Sequence, residues 1–502
     1  MGKQGKAAKR RRIEQAAAAA IAAPLSDGED EPGQQDFLQG LIKPAEVAVT
    51  VRTLQTLTRH TELLSNKQDL KALRGAVFDF QRVGAELTGT GNSLTSRISA
   101  AISQQRHTDA LVLLAEMRIR KQSPKLGALQ RWVRDCDAAS RSDGSFGDVD
   151  TLRVLDAILR CTHGEPEEGE EEGLIKPKKG EVVVRQKPWV FREEKGEDYW
   201  SEIKAGRFPP PDDIPALSSV FRLLHRTEAA DRLPPNHHPA LLFTSAPGSI
   251  PLAPPSTALK VTRHEVPHIP GGFLLADVLS KEECKRILAH TEALGYQPDQ
   301  PIAEDGLSVL AHNVYWLADS SFLSTFTSRF LHLVPQFVDG GKVTGINARF
   351  RVYRYVPGAI YRPHEDGAWP ASGIDPVTGE YLYDSSPKDK PQWSRLTFLI
   401  YLNDNFLNGC TTFFFPSSSP STLNAFPVKP SAGCAMVFPH GDNTSALHEG
   451  SPVEGEGAKY VIRTEVLYEV RTREGREREG LVAAVGKGVG GVEGEKDEGV
   501  EA

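Results

Sequence analysis

Apolar residues recur along the chain with two different periods. Between about residues 45 and 162 they return every three or four positions, as Leu111, Leu114 and Met117 do, and this spacing is typical of amphipathic helices. Between about residues 262 and 472 they alternate with polar residues in short runs rich in β-branched and aromatic side chains, which favours strands. The alternation predicts strands at 348–356, 396–402, 411–415, 435–438 and 460–468.

The two periods, together with changes in composition, divide the chain into five regions. Both ends lack the apolar residues that a core requires. An acidic run and a Pro-rich stretch with aromatic islands separate the helical pattern from the strand pattern, as a connector would. The predicted regions are a basic, Ala-rich disordered tail (1–44), an all-helical domain (45–162), a linker (163–261), a strand-rich domain (262–472) and a second disordered tail (473–502).

The strand-rich domain has the pattern of a closed or layered β-structure. Short strands separated by Pro, Gly, Ser and Asn favour a sandwich or barrel, and a jelly roll (a double-stranded β-helix) fits them. A helix over about 280–294 precedes the strands, because Ser280 and Glu283 form the pattern of a capping box. The predicted fold class is therefore α+β multidomain, with a small all-α domain before a jelly roll with flanking helices.

Composition narrows the compartment and the partners. The 502 residues carry a net charge of −7, which gives no global argument for nucleic acid or an anionic membrane. No stretch reaches the ~20 apolar residues that span a bilayer, so we expect no membrane association. Five scattered cysteines without a CxxC pair disfavour a zinc site and a disulfide framework, which suits a reducing compartment. The basic run at 6–12 is typical of a nuclear-import patch, so we expect a nuclear or cytoplasmic protein.

One segment combines metal-binding residue types at a spacing that suits a shared ion. His364 and Asp366 follow a predicted strand and a Pro-Gly turn. In extended backbone, residues two apart point to the same face, so the imidazole and the carboxylate can converge on one ion. A second histidine completes a two-histidine, one-carboxylate set, which suits Fe(II) with open coordination positions. His448, at the start of a later strand, is the first candidate, and His440, at a strand end, is the alternative.

Two basic residues follow His448 on the last predicted strand. Lys459 and Arg463 are four residues apart and therefore share a face of that strand. A buried cation there could bind the distal carboxylate of a dicarboxylic acid, arginine through two parallel hydrogen bonds and lysine as a point charge. These residue types alone do not choose between the two.

Several stretches of the strand-rich domain resemble one enzyme family and come in the family's order. They are RVYRYVPGAIYRPHED, SRLTFLIYLND, NGCTTFFFP, GCAMVFPH, LHEGSPV and KYVIRTEVLY. They resemble the 2-oxoglutarate- and Fe(II)-dependent dioxygenase superfamily, specifically the catalytic domain of the prolyl 4-hydroxylase alpha-subunit type. The resemblance covers roughly 265–470. Residues 1 to about 260 show no such resemblance.

The resemblance implies a role for each matching residue. It makes His364, Asp366 and His448 the catalytic iron ligands. It makes Lys459 the anchor of 2-oxoglutarate, although Lys459 lies about one position later than the usual pattern. Arg463 matches the placement that other branches of the superfamily use, so both basic residues stay candidates.

Three tyrosines complete the site that the resemblance implies. Tyr355 and Tyr361 occupy positions where the family often lines its co-substrate pocket, and Tyr401 is a third candidate. Packing in the protein core is the alternative role for each of them. The implied cofactors are Fe(II), 2-oxoglutarate as co-substrate, and ascorbate.

The activity that the resemblance implies is hydroxylation of a substrate, with release of succinate and CO2. The expected substrate is a protein or peptide side chain, a prolyl residue first. A nucleic-acid or protein demethylase of the same superfamily is one alternative, although nothing in the charge pattern supports nucleic acid as a partner. A non-catalytic scaffold, whose helical domain binds a protein partner, is the other. A long insertion at 370–393 is either a substrate lid or a disordered decoration.

Overall fold

The computed structural model describes residues 42–470, apart from 61–69, 78–79, 81–92, 139, 141–144, 167–170, 194–195, 209–219, 233–234, 255, 302–310 and 443–444. The basic run at 6–12, the tail at 473–502 and most of the tail at 1–44 lie outside these residues. Nuclear import and the disorder of both tails therefore stay predictions.

Helices occupy the region where the three-to-four-residue period predicts them. The described α-helices are α1 (Pro44–Arg59), α2 (Leu94–Ser103), α3 (His107–Ile119), α4 (Leu126–Asp135), α5 (Val149–Arg160), α6 (Tyr199–Lys204), α7 (Lys281–Leu294) and α8 (Ser320–Ser328). Helix α7 begins as its sequence predicts, since Ser280 accepts a hydrogen bond from the Glu283 amide and the Glu283 side chain accepts one from the Ser280 amide. Two short 3-10 helices lie at Ala229–Asp231 and Leu331–Leu333.

Strands dominate the second half of the chain, and each of the five strands that alternation predicts is present. The strands are β1 (Val183–Arg185), β2 (Phe221–Thr227), β3 (Ala240–Ser245), β4 (Thr262–Glu265), β5 (Phe273–Ala276), β6 (His312–Leu317), β7 (Phe337–Val338), β8 (Gly341–Ile346), β9 (Arg349–Tyr355), β10 (Tyr361–His364), β11 (Gly373–Ile374), β12 (Tyr381–Leu382), β13 (Gln392–Tyr401), β14 (Leu407–Asn408), β15 (Thr411–Pro416), β16 (Leu423–Val428), β17 (Ala435–Pro439), β18 (Leu447–Gly450), β19 (Val453–Glu454) and β20 (Lys459–Glu469).

The strands form two large sheets. The major sheet has eleven strands in the order β2-β3-β6-β9-β20-β13-β17-β5-β4, and β8 pairs with both β20 and β7. The minor sheet has five strands in the order β1-β16-β15-β18-β10, so β10 is an edge strand. Two small two-stranded sheets, β11-β12 and β14-β19, lie outside both. The chain moves repeatedly between the two large sheets, and the α+β class that the sequence predicts is confirmed.

The two large sheets enclose a common apolar core. Tyr353 and Val461 of the major sheet belong to the same buried cluster as Phe413 and Phe426 of the minor sheet. On its other face the major sheet packs against α7 and α8, whose apolar residues share a second cluster with Phe398. Both faces of the major sheet are thus covered, which explains why residues on both sides of its central strands β9 and β20 are buried.

Helices α2 to α5 cover the outer face of the minor sheet. Their buried residues, Leu114 and Trp132 among them, form one cluster with Phe414 and Leu447 of the minor sheet. The sequence leads us to expect an all-helical domain with a core of its own at 45–162, but these four helices share their core with the strands. Helix α1 belongs to a separate compact unit, residues 1–78, and the remaining elements belong to a second unit, residues 79–502.

The stretch at 163–261, predicted as a linker, supplies three strands. Strand β1 pairs in parallel with β16, and β3 pairs in parallel with β6 and antiparallel with β2. Their partners lie far along the chain, so local composition does not reveal the pairing. The described residues of this stretch therefore belong to a folded region and do not form an extended connector.

Two expectations about composition can be compared with the described residues. All five cysteines, for which the sequence predicts no disulfide framework, are free and buried. Among the described residues, none of the helices combines the length and the apolar character that crossing a bilayer requires.

The shared core of helices and minor sheet gives a stability prediction. Phe414 is fully buried between the two layers, so Phe414→Ala should cost about 3–5 kcal/mol of unfolding free energy. Because both layers lose the same contacts, hydrogen exchange measured by mass spectrometry should accelerate in α2–α5 and in β15–β18 together. Acceleration in only one of the two layers would contradict the shared core.

Candidate metal centre

Two strands of the minor sheet and the turn after one of them bring the candidate ligands together. His364 ends β10, and His448 lies opposite it on β18 as its direct pairing partner. Asp366 follows β10 by two residues. All three side chains point between the sheets, and the nearest ligand atoms of the three lie within 4.8 Å of one another.

The separations between these atoms suit one shared ion. His364 Nε2 lies 3.5 Å from Asp366 Oδ1, and His448 Nε2 lies 3.8 Å from Asp366 Oδ2. Two atoms that each bind one ion at about 2.1 Å lie at most about 4.2 Å apart. The two imidazole rings are tilted by 50° to each other, with their centroids 4.4 Å apart. The donor set is therefore the two-histidine, one-carboxylate set that suits Fe(II).

The backbone fixes the orientation of both imidazoles. His364 Nδ1 lies 2.8 Å from the Arg362 carbonyl oxygen, and His448 Nδ1 lies 3.0 Å from the Ala446 carbonyl oxygen. A carbonyl can only accept, so each Nδ1 carries the proton and each Nε2 presents its lone pair to the site. Burial, followed by the neighbouring His364, lowers the pKa of His448 to about 3, so its imidazole is neutral at physiological pH.

The charge of Asp366 is maintained in a buried position. Burial opposes the ionised form, but the Arg463 guanidinium, 3.1 Å from Oδ1, holds the pKa of Asp366 well below its usual value. Arg463 is itself held by Glu465, whose Oε1 lies 3.0 Å from the other guanidinium nitrogen. Asp366 is therefore an anion ready to bind a cation.

A chain of hydrogen bonds ends on the second oxygen of Asp366. The Thr397 hydroxyl donates to Asp366 Oδ2 at 2.6 Å and lies 2.7 Å from His440 Nδ1. His440 Nε2 lies 2.7 Å from the Ser394 hydroxyl, which accepts from the Trp369 amide at 2.8 Å. Each hydroxyl has one proton, so the chain has one consistent direction, from Trp369 to Asp366, with the His440 proton on Nδ1.

His440 is therefore placed behind the site and not in it. Burial lowers the pKa of His440 to about 3, which keeps its ring neutral. The alternative of His440 as third ligand is disfavoured, because both of its nitrogens are engaged with hydroxyl groups. Sequence reasoning missed its bridging role, since the link to Asp366 passes through a strand that is distant in the chain.

A pocket extends from the ligands into the space between the sheets. Two predicted tyrosines, both basic residues and all three ligands line it. The lining consists of Tyr353, Tyr355, Tyr361, His364, Asp366, Thr397, Leu399, Thr411, His448, Glu449, Gly450, Lys459, Val461 and Arg463. Burial raises the pKa of Tyr355 and of Tyr361, so both hydroxyls stay protonated and can donate hydrogen bonds.

The two basic residues lie at opposite ends of this pocket. They are four residues apart on β20, a rise of about 13 Å. Arg463 contacts Asp366, as described above. Lys459 is buried, its Nζ donates to the Gly409 carbonyl at 2.7 Å, and it lies 5.3 Å from the centroid of the Tyr355 ring. In the described part of the chain, no carboxylate forms an ion pair with Lys459.

Tyr401 takes a different position from the other two tyrosines. It is fully buried outside the pocket lining, and its hydroxyl lies 2.9 Å from that of Thr411, which does line the pocket. Its ring centroid lies 5.9 Å from Lys459 Nζ. Tyr401 thus supports Lys459 and Thr411 from behind, and the core-packing alternative describes it better than direct contact with a ligand.

Comparisons with known proteins relate the chain to solved oxygenases. The sequence matches no family model and no curated protein. Among solved structures, it is similar to the viral collagen prolyl hydroxylase of Paramecium Bursaria Chlorella virus-1, at 18% identity and a TM-score of 0.25, covering 40% of this chain and 96% of that one.

Two further solved structures are similar over the same share of the chain. A prolyl hydroxylase from Trichoplax adhaerens, solved with a hypoxia inducible factor peptide fragment, is 15% identical with a TM-score of 0.27, covering 42% of this chain and 86% of that one. HygX from Streptomyces hygroscopicus, with nickel and 2-oxoglutarate bound, is 13% identical with a TM-score of 0.26, covering 40% and 82%. TM-scores this low leave the function to be argued from the side chains of the site itself.

The hydrogen bond from Thr397 gives a prediction about the ligand set. Thr397→Val keeps the shape of the side chain but removes the donor to Asp366 Oδ2, which leaves that carboxylate free to rotate. We expect Mn(II) affinity, measured by isothermal titration calorimetry, to fall about tenfold. Thr464→Val is the matched control, since Thr464 is equally buried on β20 but donates to the Asn347 carbonyl. Equal affinities in the two variants would contradict the role given to Thr397.

Proposed function

We propose that this protein is an Fe(II)- and 2-oxoglutarate-dependent dioxygenase that hydroxylates a protein or peptide side chain. The observation that carries the proposal is one pocket with an anionic three-ligand cluster at one end and, at the other, a buried lysine that forms no ion pair with any described residue. Bound Fe(II) and 2-oxoglutarate would supply the oxidative chemistry, in which substrate hydroxylation accompanies formation of succinate and CO2. We also propose that the two sheets form the jelly roll of this enzyme class.

The residues of the chain have distinct tasks in that reaction. His364, Asp366 and His448 would hold the metal, and their fixed orientation avoids reorganisation when it binds. Lys459, in its protonated form, would bind the distal carboxylate of 2-oxoglutarate, and the same contact would orient the rest of the co-substrate towards the ligands. The tyrosine rings exclude water from the space between.

The different partners of Lys459 and Arg463 support Lys459 as the anchor. The guanidinium of Arg463 is already shared between two carboxylates, Asp366 and Glu465, so a third would bring repulsion. Within the described part of the chain, the buried Lys459 ammonium has one hydrogen-bond acceptor, the Gly409 carbonyl. Burying an ammonium without an opposite charge is unfavourable, and an incoming carboxylate would relieve that cost.

The choice of substrate rests on the sequence resemblance, which favours a prolyl side chain. The insertion at 370–393 supports a role in substrate selection by its position. It forms the hairpin β11-β12, and Tyr381 of that hairpin belongs to the same buried apolar cluster as Tyr315 of β6. The Arg351 guanidinium lies between the rings of Tyr315 and Tyr353, at 4.9 and 4.7 Å, and Tyr353 lines the pocket. We propose that the hairpin walls one side of the substrate entrance, and its movement as a lid stays a prediction.

The two alternative functions, a demethylase and a non-catalytic scaffold, can be distinguished from the proposed one by their products. The demethylase forms a different product, and the scaffold forms none. A demethylase would release formaldehyde from a methylated substrate, whereas the proposed enzyme leaves a hydroxyl group on its substrate. A non-catalytic scaffold needs neither an oriented ligand set nor a buried lysine, and both cost stability. The helical layer binding a protein partner stays a prediction.

Turnover is the direct test of the proposal. Purified protein with Fe(II), 2-oxoglutarate, ascorbate and a panel of proline-containing peptides should form succinate, and one peptide should gain one oxygen atom by mass spectrometry. Omission of ascorbate should slow sustained turnover. His364→Ala/Asp366→Ala should abolish both products, because only one ligand remains.

His264→Ala serves as the control for loss of a histidine outside the site, since His264 lies on β4 and contacts Thr262. Succinate formation by the wild-type protein no greater than by the double variant, with metal bound, would exclude the enzyme.

Replacing Lys459 and replacing Arg463 should affect different measurements, the first the requirement for 2-oxoglutarate and the second the binding of metal. Lys459→Met should raise the 2-oxoglutarate concentration for half-maximal rate about tenfold or more, since it removes a charged hydrogen bond. Arg463→Met should instead weaken Mn(II) binding measured without 2-oxoglutarate, because Asp366 loses its cation. Lys429→Met, which alters a half-buried lysine paired with Glu193, should change neither. Indistinguishable effects of the first two variants would rule out the assignment of the pocket ends.

Lys459 also predicts how 2-oxoglutarate binding depends on pH. Burial lowers the pKa of Lys459 to about 8, and the ammonium is the form that binds a carboxylate. Affinity should be constant below about pH 8 and fall above it, by up to about tenfold per pH unit. In Lys459→Arg the fall should vanish, because a guanidinium stays charged. A wild-type profile that is flat between pH 7 and 9 would be inconsistent with Lys459 as the anchor.

A further inference from the structure

The two strands that carry the candidate histidines are weakly tied to each other. Strand β10 is the edge of the minor sheet, so only β18 pairs with it. Within that pair the register is irregular, and only Tyr361 with Gly450 and His364 with His448 lie opposite one another. An edge strand with so few backbone contacts depends on other contacts for its position.

The helical layer provides those contacts from the outer side of the sheet. Gln130 of α4 donates through Nε2 to the carbonyl oxygen of Glu365 at 3.1 Å, and Glu365 lies between two of the ligands. Asp137, just after α4, forms a two-pronged ion pair with Arg362 of β10, at 3.0 and 2.5 Å. The carbonyl of that same Arg362 accepts the Nδ1 proton of His364. Helix α4 and Asp137, two residues beyond its end, therefore contact the backbone segment of His364 on both sides, at Arg362 of β10 and at Glu365 just after it.

A third contact reaches the other histidine strand. The backbone amide of Ser140 donates to Glu449 Oε2 at 3.0 Å, and the Ser140 hydroxyl donates to Oε1 of the same carboxylate. Glu449 is fully buried and directly follows His448. The only other described donor to this carboxylate is the Ser451 hydroxyl, so Ser140 provides most of its hydrogen bonding. A buried carboxylate that lost these donors would be strongly destabilised where it stands.

We infer that Gln130, Asp137 and Ser140 are positioning residues for the metal site. One short stretch of the helical layer holds both histidine strands, and thereby sets the distance between the two imidazoles. This inference rests on the proposed function, since it gives the helices a task at that same site. The helical layer is then part of the catalytic unit. Apolar packing of the helices on the minor sheet would not by itself require the polar contacts of Gln130, Asp137 and Ser140.

The experiment compares metal affinity with stability in the full-length protein. The probe is Mn(II) alone, measured by calorimetry, and the melting temperature is measured in the presence of a chelator. The triple variant Gln130→Ala/Asp137→Asn/Ser140→Ala should bind Mn(II) about tenfold more weakly. Ser140→Ala alone keeps the backbone donor to Glu449 and should lose about threefold.

The matched control removes comparable bonds within the same helices. Ser99→Ala/Asp150→Asn deletes the acceptor of the Trp132 indole and the partner of Arg153, and neither contact reaches β10 or β18. It should lower the melting temperature of the apoprotein while leaving Mn(II) affinity at the wild-type value. That separation distinguishes positioning of the metal site from general support of the fold.

The following results would overturn the inference. Wild-type Mn(II) affinity in the triple variant would show that the helices act by packing alone. If the triple variant fails to fold, Ser140→Ala and Gln130→Ala decide singly, and wild-type affinity in both refutes positioning. If the wild-type protein binds no Mn(II), both the proposed function and this inference are wrong. If the wild-type protein binds Mn(II) and the variants bind it equally well, only this inference is wrong.

Discussion

The negative charge of Asp366, placed in the interior of the protein, is the feature on which the rest of the site depends. A buried carboxylate is unfavourable unless cations and donors surround it. Here Arg463 contacts one oxygen and Thr397 donates to the other, while two imidazoles stand within 4 Å. An ion shared by these three groups would replace part of that stabilisation with a stronger one, which is why the arrangement suits a cation.

The groups that stabilise the Asp366 carboxylate depend in turn on residues elsewhere in the fold. Arg463 needs Glu465 beside it, and Thr397 is oriented by His440, which is in turn oriented by Ser394. The first donor in this series of hydrogen bonds is the backbone amide of Trp369, three residues after Asp366 itself. The loop that carries the ligand is thereby tied back to β13 of the major sheet. The position of one carboxylate thus couples both sheets and the start of the insertion.

The two large sheets contribute differently to the site. The major sheet carries both cations on one strand, β20, so its regular pairing fixes the length of the pocket. The minor sheet carries the histidines on β10 and β18, where pairing is sparse. Rigidity at this side comes from the helices packed against the outer face. The sequence pattern of helices α2 to α5 predicts a separate domain. In the structure they instead support, from outside, the strands that carry the histidines.

The sequence by itself determined the local features of this protein. Alternation predicted the five strands, the Ser280 and Glu283 pattern predicted the start of a helix, and the two-residue spacing of His364 and Asp366 placed them on one face. These results depend only on neighbouring residues, and local backbone geometry is enough to produce them. Tertiary structure decided the rest, because it depends on which distant segments meet. The pairing of β1 and β3, the contact of Arg463 with Asp366, the place of His440 behind Thr397 and the bond from Ser140 to Glu449 each join residues that no local pattern connects.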